Sequence, residues 1–171
     1  CSFLGGGSSN TSSNSRATVG GGTGNTASAQ YSTIAGGIGN NATAYASTIS
    51  GGYGNNNNSN AGTIGGGSCN IICCVTASCI AGATIAGGAG NNSSGGTWLD
   101  AGYFSVAPTA LYAAGQLSFI GGGFQNRATA CLSTIVGGIN NVASANRTFI
   151  GGGCSNTASG SYSFIGGGRT H

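Results

Sequence analysis

At 171 residues the chain is long enough for one ordinary domain, and its 37 glycines follow no every-third-residue register, which excludes collagen. Four scattered arginines, no lysine and one acid, Asp100, give a formal charge of +3, which is no footprint for a polyanion and argues against a nucleic-acid partner. No apolar run approaches the roughly eighteen residues that a membrane-spanning helix needs, so the sequence contains no membrane span of that kind.

Low charge together with abundant Gly, Ser and Asn ordinarily means disorder. A fifteen-residue repeat argues otherwise. From Phe3 onward each copy reads Thr or Phe, a branched aliphatic, one variable residue, two glycines, and an Asn shortly after. The first position recurs at Phe3, Thr18, Thr33, Thr48, Thr63, Thr84, Trp98, Phe119, Thr134, Phe149 and Phe164, with gaps of 15 except for 21, 14 and 21 around Thr84 and Trp98. The aliphatic follows each time, as Leu4, Val19, Ile34, Ile49, Ile64, Ile85, Leu99, Ile120, Ile135, Ile150 and Ile165. So short a period means a solenoid whose coils cannot fold singly. The predicted fold class is all-β, a parallel β-solenoid of about eleven coils.

One copy shows how a coil is built. Tyr31-Ser32-Thr33-Ile34-Ala35 reads as a strand with Thr33 and Ile34 on opposite faces. Gly36-Gly37 turns the corner, where positive φ or close backbone approach leaves no room for a Cβ. Asn40 follows, then Asn41-Ala42-Thr43-Ala44 as a second short strand with small alternating residues. The Asn falls seven residues after the Thr/Phe position at Asn10, Asn25, Asn40, Asn55, Asn70, Asn91, Asn126, Asn141 and Asn156, with Ser105 and His171 as exceptions. Stacked coils place these amides over one another, so they are expected to form a structural hydrogen-bonded ladder rather than a sugar site, which has no need of nine identical copies.

The Ile row fills the inside of the coil. The Thr/Phe row then faces out, and a stripe holding Phe3, Trp98, Phe119, Phe149 and Phe164 is a poor solvent face. Its economical use is burial against copies of itself, so a homo-oligomer is expected, with the whole Thr/Phe row from Phe3 to Phe164 on its axis.

Two gaps hold six extra residues each, read as loop insertions near residues 68–83 and 103–117. The first carries Cys69, Cys73, Cys74 and Cys79, whose spacing fits no zinc ribbon and is read as possible local disulfides in an exposed loop, with free buried thiols and then a metal site as the alternatives; with Cys1, Cys131 and Cys154 the count is seven, which leaves one thiol unpaired or bonded to another chain. The second carries Phe104 and Tyr112, and Trp98 and Asp100 sit between the two. Insertions in solenoids gather on one face, often the binding face, so Trp98, Asp100, Phe104 and Tyr112 are the candidate recognition patch. Six Asn-X-Ser/Thr sequons occur, at Asn10, Asn41, Asn57, Asn91, Asn92 and Asn146.

The units Asn25-Thr26-Ala27-Ser28-Ala29-Gln30-Tyr31-Ser32-Thr33-Ile34-Ala35-Gly36-Gly37 and Asn156-Thr157-Ala158-Ser159-Gly160-Ser161-Tyr162-Ser163-Phe164-Ile165-Gly166-Gly167-Gly168 resemble the head repeats of trimeric autotransporter adhesins and related phage and large-virus fibre proteins. The resemblance spans nearly the whole chain, which departs from the family in repeat length and in its doubled glycine. It implies a left-handed parallel β-roll and a homotrimer around a common axis. It carries over no binding residue, because the match lies in the scaffold.

One carboxylate gives no acid pair for glycoside cleavage, and no internal His activates a Ser or Cys, so no catalytic residue, cofactor or metal is assigned. A hexapeptide acyltransferase is rejected on its repeat period and on the missing His. Both ends cut through the repeat, so residues 1–171 read as a single segment of a longer fibre. The expected function is a structural, adhesive fibre segment at a cell or virion surface, outside the cell, that presents a binding surface to a host glycan or protein. The alternatives are a filament subunit stacking coil end to coil end, and an ice-binding solenoid, whose Thr row the aromatics interrupt.

Overall fold

A computed structural model describes residues 1–73, 82–99, 103–108, 110–112 and 114–170. Ten two-residue strands, from Phe3–Leu4 to Thr84–Ile85 and then from Phe119–Ile120 to Phe164–Ile165, form one parallel sheet in chain order. Its register is one-to-one: Phe3 lies beside Thr18, Thr84 beside Phe119, and Phe149 beside Phe164. Nine steps of about 4.8 Å put the first and last strands roughly 43 Å apart.

The return strands form a second parallel face in two blocks. One runs from Thr11–Ser12 to Ile71–Cys73 and the other from Arg127–Ala128 to Thr157–Ala158. Each coil also makes a third parallel contact, which the sequence reading of two strands per coil lacked. It is a single-residue bridge at the fifth position after Thr/Phe, running Ser8, Thr23, Ile38, Tyr53, Ser68, Ala89, Phe124, Ile139, Cys154, Arg169.

The core is thin and regular. Ile34, Ile49, Ile64, Ile85, Ile120, Ile135 and Ile150 are at most 1% exposed, and Ala27, Ala42, Ala128, Ala143 and Ala158 face them. Burying one such Ile stabilises by about 1.5–3 kcal/mol, and the small partner lets the two sheets approach. Asn57 and Ile72 take the alanine's place in the fourth and fifth coils; Asn57 is satisfied there because its Nδ2 donates to the carbonyls of Thr48 (3.1 Å) and Gly62 (2.8 Å). Buried Ser32, Ser47 and Ser133 donate to the carbonyls three residues back, at 2.7, 2.7 and 2.6 Å.

The second glycine of each pair is set by sterics and backbone together. Gly37 has φ +92°, and a Cβ there would lie 2.3 Å from the Gly52 carbonyl oxygen and 2.6 Å from Asn40 Nδ2. That amide is what holds the corner. Asn40 Nδ2 donates to the carbonyls of Gly36 (3.1 Å) and Gly52 (2.9 Å) and approaches Asn25 Oδ1 (3.1 Å). Its own Oδ1 accepts the backbone N–H of Asn55 at 3.0 Å. The same backbone bond joins Asn10 to Asn25, and the column continues through Asn70, Asn91 and Asn126 to Asn156. Eight of these nine side chains are fully buried.

Two expectations are corrected. The solenoid has about ten coils, not eleven, because Thr84 pairs directly with Phe119 and Asn126 donates its backbone N–H directly to Asn91 Oδ1. Trp98 therefore does not belong to the Thr/Phe row, and Ser105 is not a failed ladder position. The chain leaves the solenoid after Asn92, whose carbonyl accepts the N–H of Tyr112 at 2.8 Å. It rejoins at Ala114 and Gly115, which donate to the carbonyls of Cys73 (3.2 Å) and Ala128 (3.0 Å) and so bridge the two blocks of the return face. The insertion near 103–117 is thus one part of a longer excursion out of the sixth coil.

Candidate functional site, an aromatic groove under the inserted hairpin

The excursion is built from antiparallel pairs, in contrast to the parallel coils. Ser93–Ser94 pairs with Ala110–Leu111, and Thr97–Leu99 pairs with Tyr103–Val106, with a register shift between Thr97 and Trp98. Gly95 and Gly96, at φ +79° and +81°, turn the chain outward. A Cβ on Gly96 would meet the Val106 carbonyl oxygen at 2.6 Å, so only glycine lets the arms come this close. Gln125 Nε2 donates to the Gly95 carbonyl (2.8 Å) and ties the hairpin back to the coil behind it.

The hairpin lies on the bridge column. Phe104 is 3% exposed and packs with Cys69, Ala89 and Phe124 in a small cluster separate from the Ile core. Its ring stacks on Phe124 at 5.9 Å, and Trp98 meets both edge-on, at 5.0 Å from Phe104 and 5.4 Å from Phe124. Such pairs add about 0.5–1.5 kcal/mol each beyond their buried area. Gly90 makes the seat: a Cβ there would fall 2.9 Å from the Phe104 ring.

An open groove of about 560 Å³ runs alongside. Its walls are Tyr53, Trp98 and Phe124, and its floor is Gly52, Gly67, Gly88 and Gly123 with Ser68 and Ala89. Trp98 remains 38% exposed and Tyr53 43%, and the apolar surface continues along the column at Ile38 and Ile139. Among the described residues no charged side chain lines it, so this part of the groove suits an uncharged, partly apolar ligand face.

Of the four residues picked out in the sequence, Trp98 and Phe104 come together here. Tyr112 packs instead under the Arg127 guanidinium at 4.6 Å. Asp100 lies outside the described residues. The sequence reading missed Tyr53 and Phe124. Their signal was available: the fifth position after Thr/Phe is Ile38, Tyr53, Phe124 or Ile139 in four coils, on a column that faces out.

The expected loop disulfide is not met at Cys69. That residue is a free, buried thiol with φ +53°, at the corner position where other coils have Gly24, Gly39, Gly54 and Gly90. Burial pushes its pKa up, and the contact with the Ser68 hydroxyl (3.8 Å) offsets part of that. Cys73 Sγ contacts the Tyr112 carbonyl at 3.5 Å, and Cys74 and Cys79 lie outside the described residues.

The outer face of the ten-stranded sheet is the second surface of note. Phe3, Phe119 and Phe164 are 58, 38 and 72% exposed, and Phe149 stacks on Phe164 at 5.0 Å. Each Phe of the row has glycine two residues on, at Gly5, Gly121, Gly151 and Gly166, and the ring lies over it, 3.2–3.6 Å from where a Cβ would stand. At the edge of this face Arg16 lies over Tyr31 and Arg147 over Tyr162, at 5.1 and 5.3 Å. No protein-family model matches this sequence, and no curated protein matches it either.

Proposed function

We propose that the chain is a structural segment of an extracellular or virion-surface fibre, a left-handed homotrimeric β-roll whose copies meet along the Thr/Phe sheet and whose hairpin groove presents the recognition surface. The observation that carries this reading is the outer face of the ten-stranded sheet. It is one two-residue strand wide and ten coils tall, and it has no charge in the Thr/Phe row or two residues beyond it, yet it displays Phe3, Phe119 and Phe164 to solvent. An uncharged stripe of Thr with Phe rings towards both ends is a poor solvent face and suits an interaction face. Copies related by rotation about an axis parallel to the rod bring like positions together, aromatic against aromatic and Thr against Thr, along the whole row. The hairpin groove lies on the glycine corner, off that face, and remains open when the copies meet.

Light scattering of the segment without reductant tests this. A trimer is expected, and a Thr48→Lys, Thr63→Lys double variant is expected to be monomeric with an unchanged β spectrum, because it sets two charges per chain into the shared face. A stable wild-type monomer would sink the axial reading. Open-ended polymers would point to a filament instead.

A further inference from the structure

We infer that Asn146 is an acceptor for an N-linked glycan, and that the fold closes four of the other five sequons to that modification. The chemistry is transfer from a polyprenyl-pyrophosphate-linked oligosaccharide. Asn Nδ2 attacks the sugar C1, the C1–O bond to pyrophosphate breaks with its electron pair, and one Nδ2 proton passes to the transferase's base. The product is still an amide: it keeps its carbonyl oxygen and loses one N–H donor. Transfer acts on the unfolded chain, so the fold filters which products survive.

The six asparagines divide by what their Nδ2 does. Asn10 Nδ2 donates to the carbonyls of Gly6 and Gly22, both at 2.8 Å. Asn91 Nδ2 donates to Asn70 Oδ1 and the Gly87 carbonyl, both at 2.9 Å, and Asn57 Nδ2 donates to Thr48 and Gly62 inside the coil. Asn92 is 1% exposed, and its Oδ1 accepts the Ala128 N–H at 3.0 Å. A sugar on Asn57, Asn91 or Asn92 occupies core volume, and on Asn10, Asn57 or Asn91 it deletes a ladder or core donor. Asn41 lies on the outer face of a strand, half-buried between Thr26 and Asn56 one strand spacing to either side.

Asn146 alone of the six combines exposure with an Nδ2 that the fold does not use among the described residues. It is exposed, at the corner before Phe149, and its single side-chain bond uses the oxygen: Oδ1 accepts the Cys131 N–H at 3.2 Å. That bond survives glycosylation unchanged, and no hydrogen bond of the fold involves Nδ2 among the described residues.

The test is secretion of the chain from a glycosylating eukaryotic cell line, with glycopeptide mass spectrometry on the folded, soluble fraction. The expected result is glycan at Asn146 and none at Asn10, Asn57, Asn91 or Asn92. Asn146→Gln and Thr148→Ala each remove the sequon and are expected to abolish the gel shift with the β spectrum intact. Alanine is already tolerated at Thr148's place in the coil, since Ala17 and Ala83 occupy it elsewhere, so at least that variant folds. An unmodified Asn146, glycan at Asn41 in its stead, or glycan at any of the four closed sites in folded protein overturns the inference.

Discussion

Replacing one ladder asparagine in mid-solenoid isolates what the buried amide column contributes. In Asn40→Ala the backbone N–H of Asn55 loses its partner, Asn40 Oδ1 at 3.0 Å, and the Gly36 carbonyl loses the Nδ2 donor at 3.1 Å. The Gly52 carbonyl is less affected, because it still accepts the Ile38 N–H at 2.9 Å. The buried Asn55 N–H left unsatisfied at about 1–3 kcal/mol, with a smaller penalty at the part-buried Gly36 carbonyl, gives a loss of roughly 2–4 kcal/mol, a large share of a small domain's stability. Asn10→Ala at the first coil is the internal control. It removes the same kind of bond to the Asn25 N–H (2.9 Å), but Asn10 is only half-buried and water can reach the corner. Its loss is expected near the bottom of the range, about 1 kcal/mol. Urea unfolding ranks the two variants, and hydrogen exchange at the Asn55 amide reports the broken rung directly, which matters because a repeat array need not unfold in one step. Equal losses in the two variants, or an Asn55 amide as protected in Asn40→Ala as in the parent, would refute the idea that buried amide satisfaction holds the corner.

Three further outcomes follow from the same geometry. Gly37→Ala is expected to cost more than about 3 kcal/mol or to prevent folding, since it sets a Cβ 2.3 Å from a carbonyl at φ +92°, whereas Gly137→Ala, with open space around it and no positive φ, stays within about 0.5 kcal/mol; thermal melts of the pair decide. Trp98 is the only tryptophan, so its fluorescence reports the groove alone: Phe124→Ala is expected to red-shift the emission and raise iodide quenching while the β spectrum holds, and an unmoved emission would mean the hairpin does not rest on Phe124. Cys69 is expected to alkylate far more slowly than exposed Cys131 at pH 8, and its raised pKa means the folded state holds the proton more tightly than the unfolded chain. Its contribution to stability is therefore full below the thiol's unfolded value, near 9.0, and declines as pH rises through the folded value; a Cys69→Ser variant with the same alkaline decline as the parent would count against it.

Most of the coil could be read from the sequence because its inner positions tolerate so little. Asn55 is fully buried and fully bonded, Gly52 has no room for a Cβ, and Ile49 has no exposed surface, so each recurs with the period. The misplaced coil came from trusting the outermost position instead. Thr97-Trp98-Leu99 mimics the start of a coil, and even Gly102 falls where the second glycine belongs. Two other signals disagreed: the residue seven after Trp98 is Ser105, not Asn, and the residue two after it is Asp100, where every Phe of the row has glycine. The aromatic groove was only half legible for a related reason. Trp98 and Phe104 stand out as an insertion, but Tyr53 and Phe124 sit within ordinary coils, and their meeting with the hairpin depends on how a 35-residue step from Thr84 to Phe119 folds back.

A fold held by backbone ladders, one Ile per coil and a column of buried amides asks almost nothing of its outside. The coil tolerates Ser8, Tyr53, Ala89, Cys154 or Arg169 at the same bridge position, and the rod needs no charge on any face. Outer residues are therefore free to vary, and where they gather into something the coil does not need, recognition is the economical explanation. The Trp98–Phe104–Phe124 cluster is such a place. It requires an excursion out of the sixth coil, two outward-turning glycines, a glycine seat at Gly90 and a break in the return face repaired by Ala114 and Gly115. The Ile core is continuous from Ile85 to Ile120 without it. Ordering the described residues of the excursion costs conformational entropy, and the aromatic contacts return only part of that while leaving Trp98 38% exposed. The proposed recognition role rests on this: folding energy is spent to hold the Trp98 ring in water beside a groove that no charged side chain among the described residues lines.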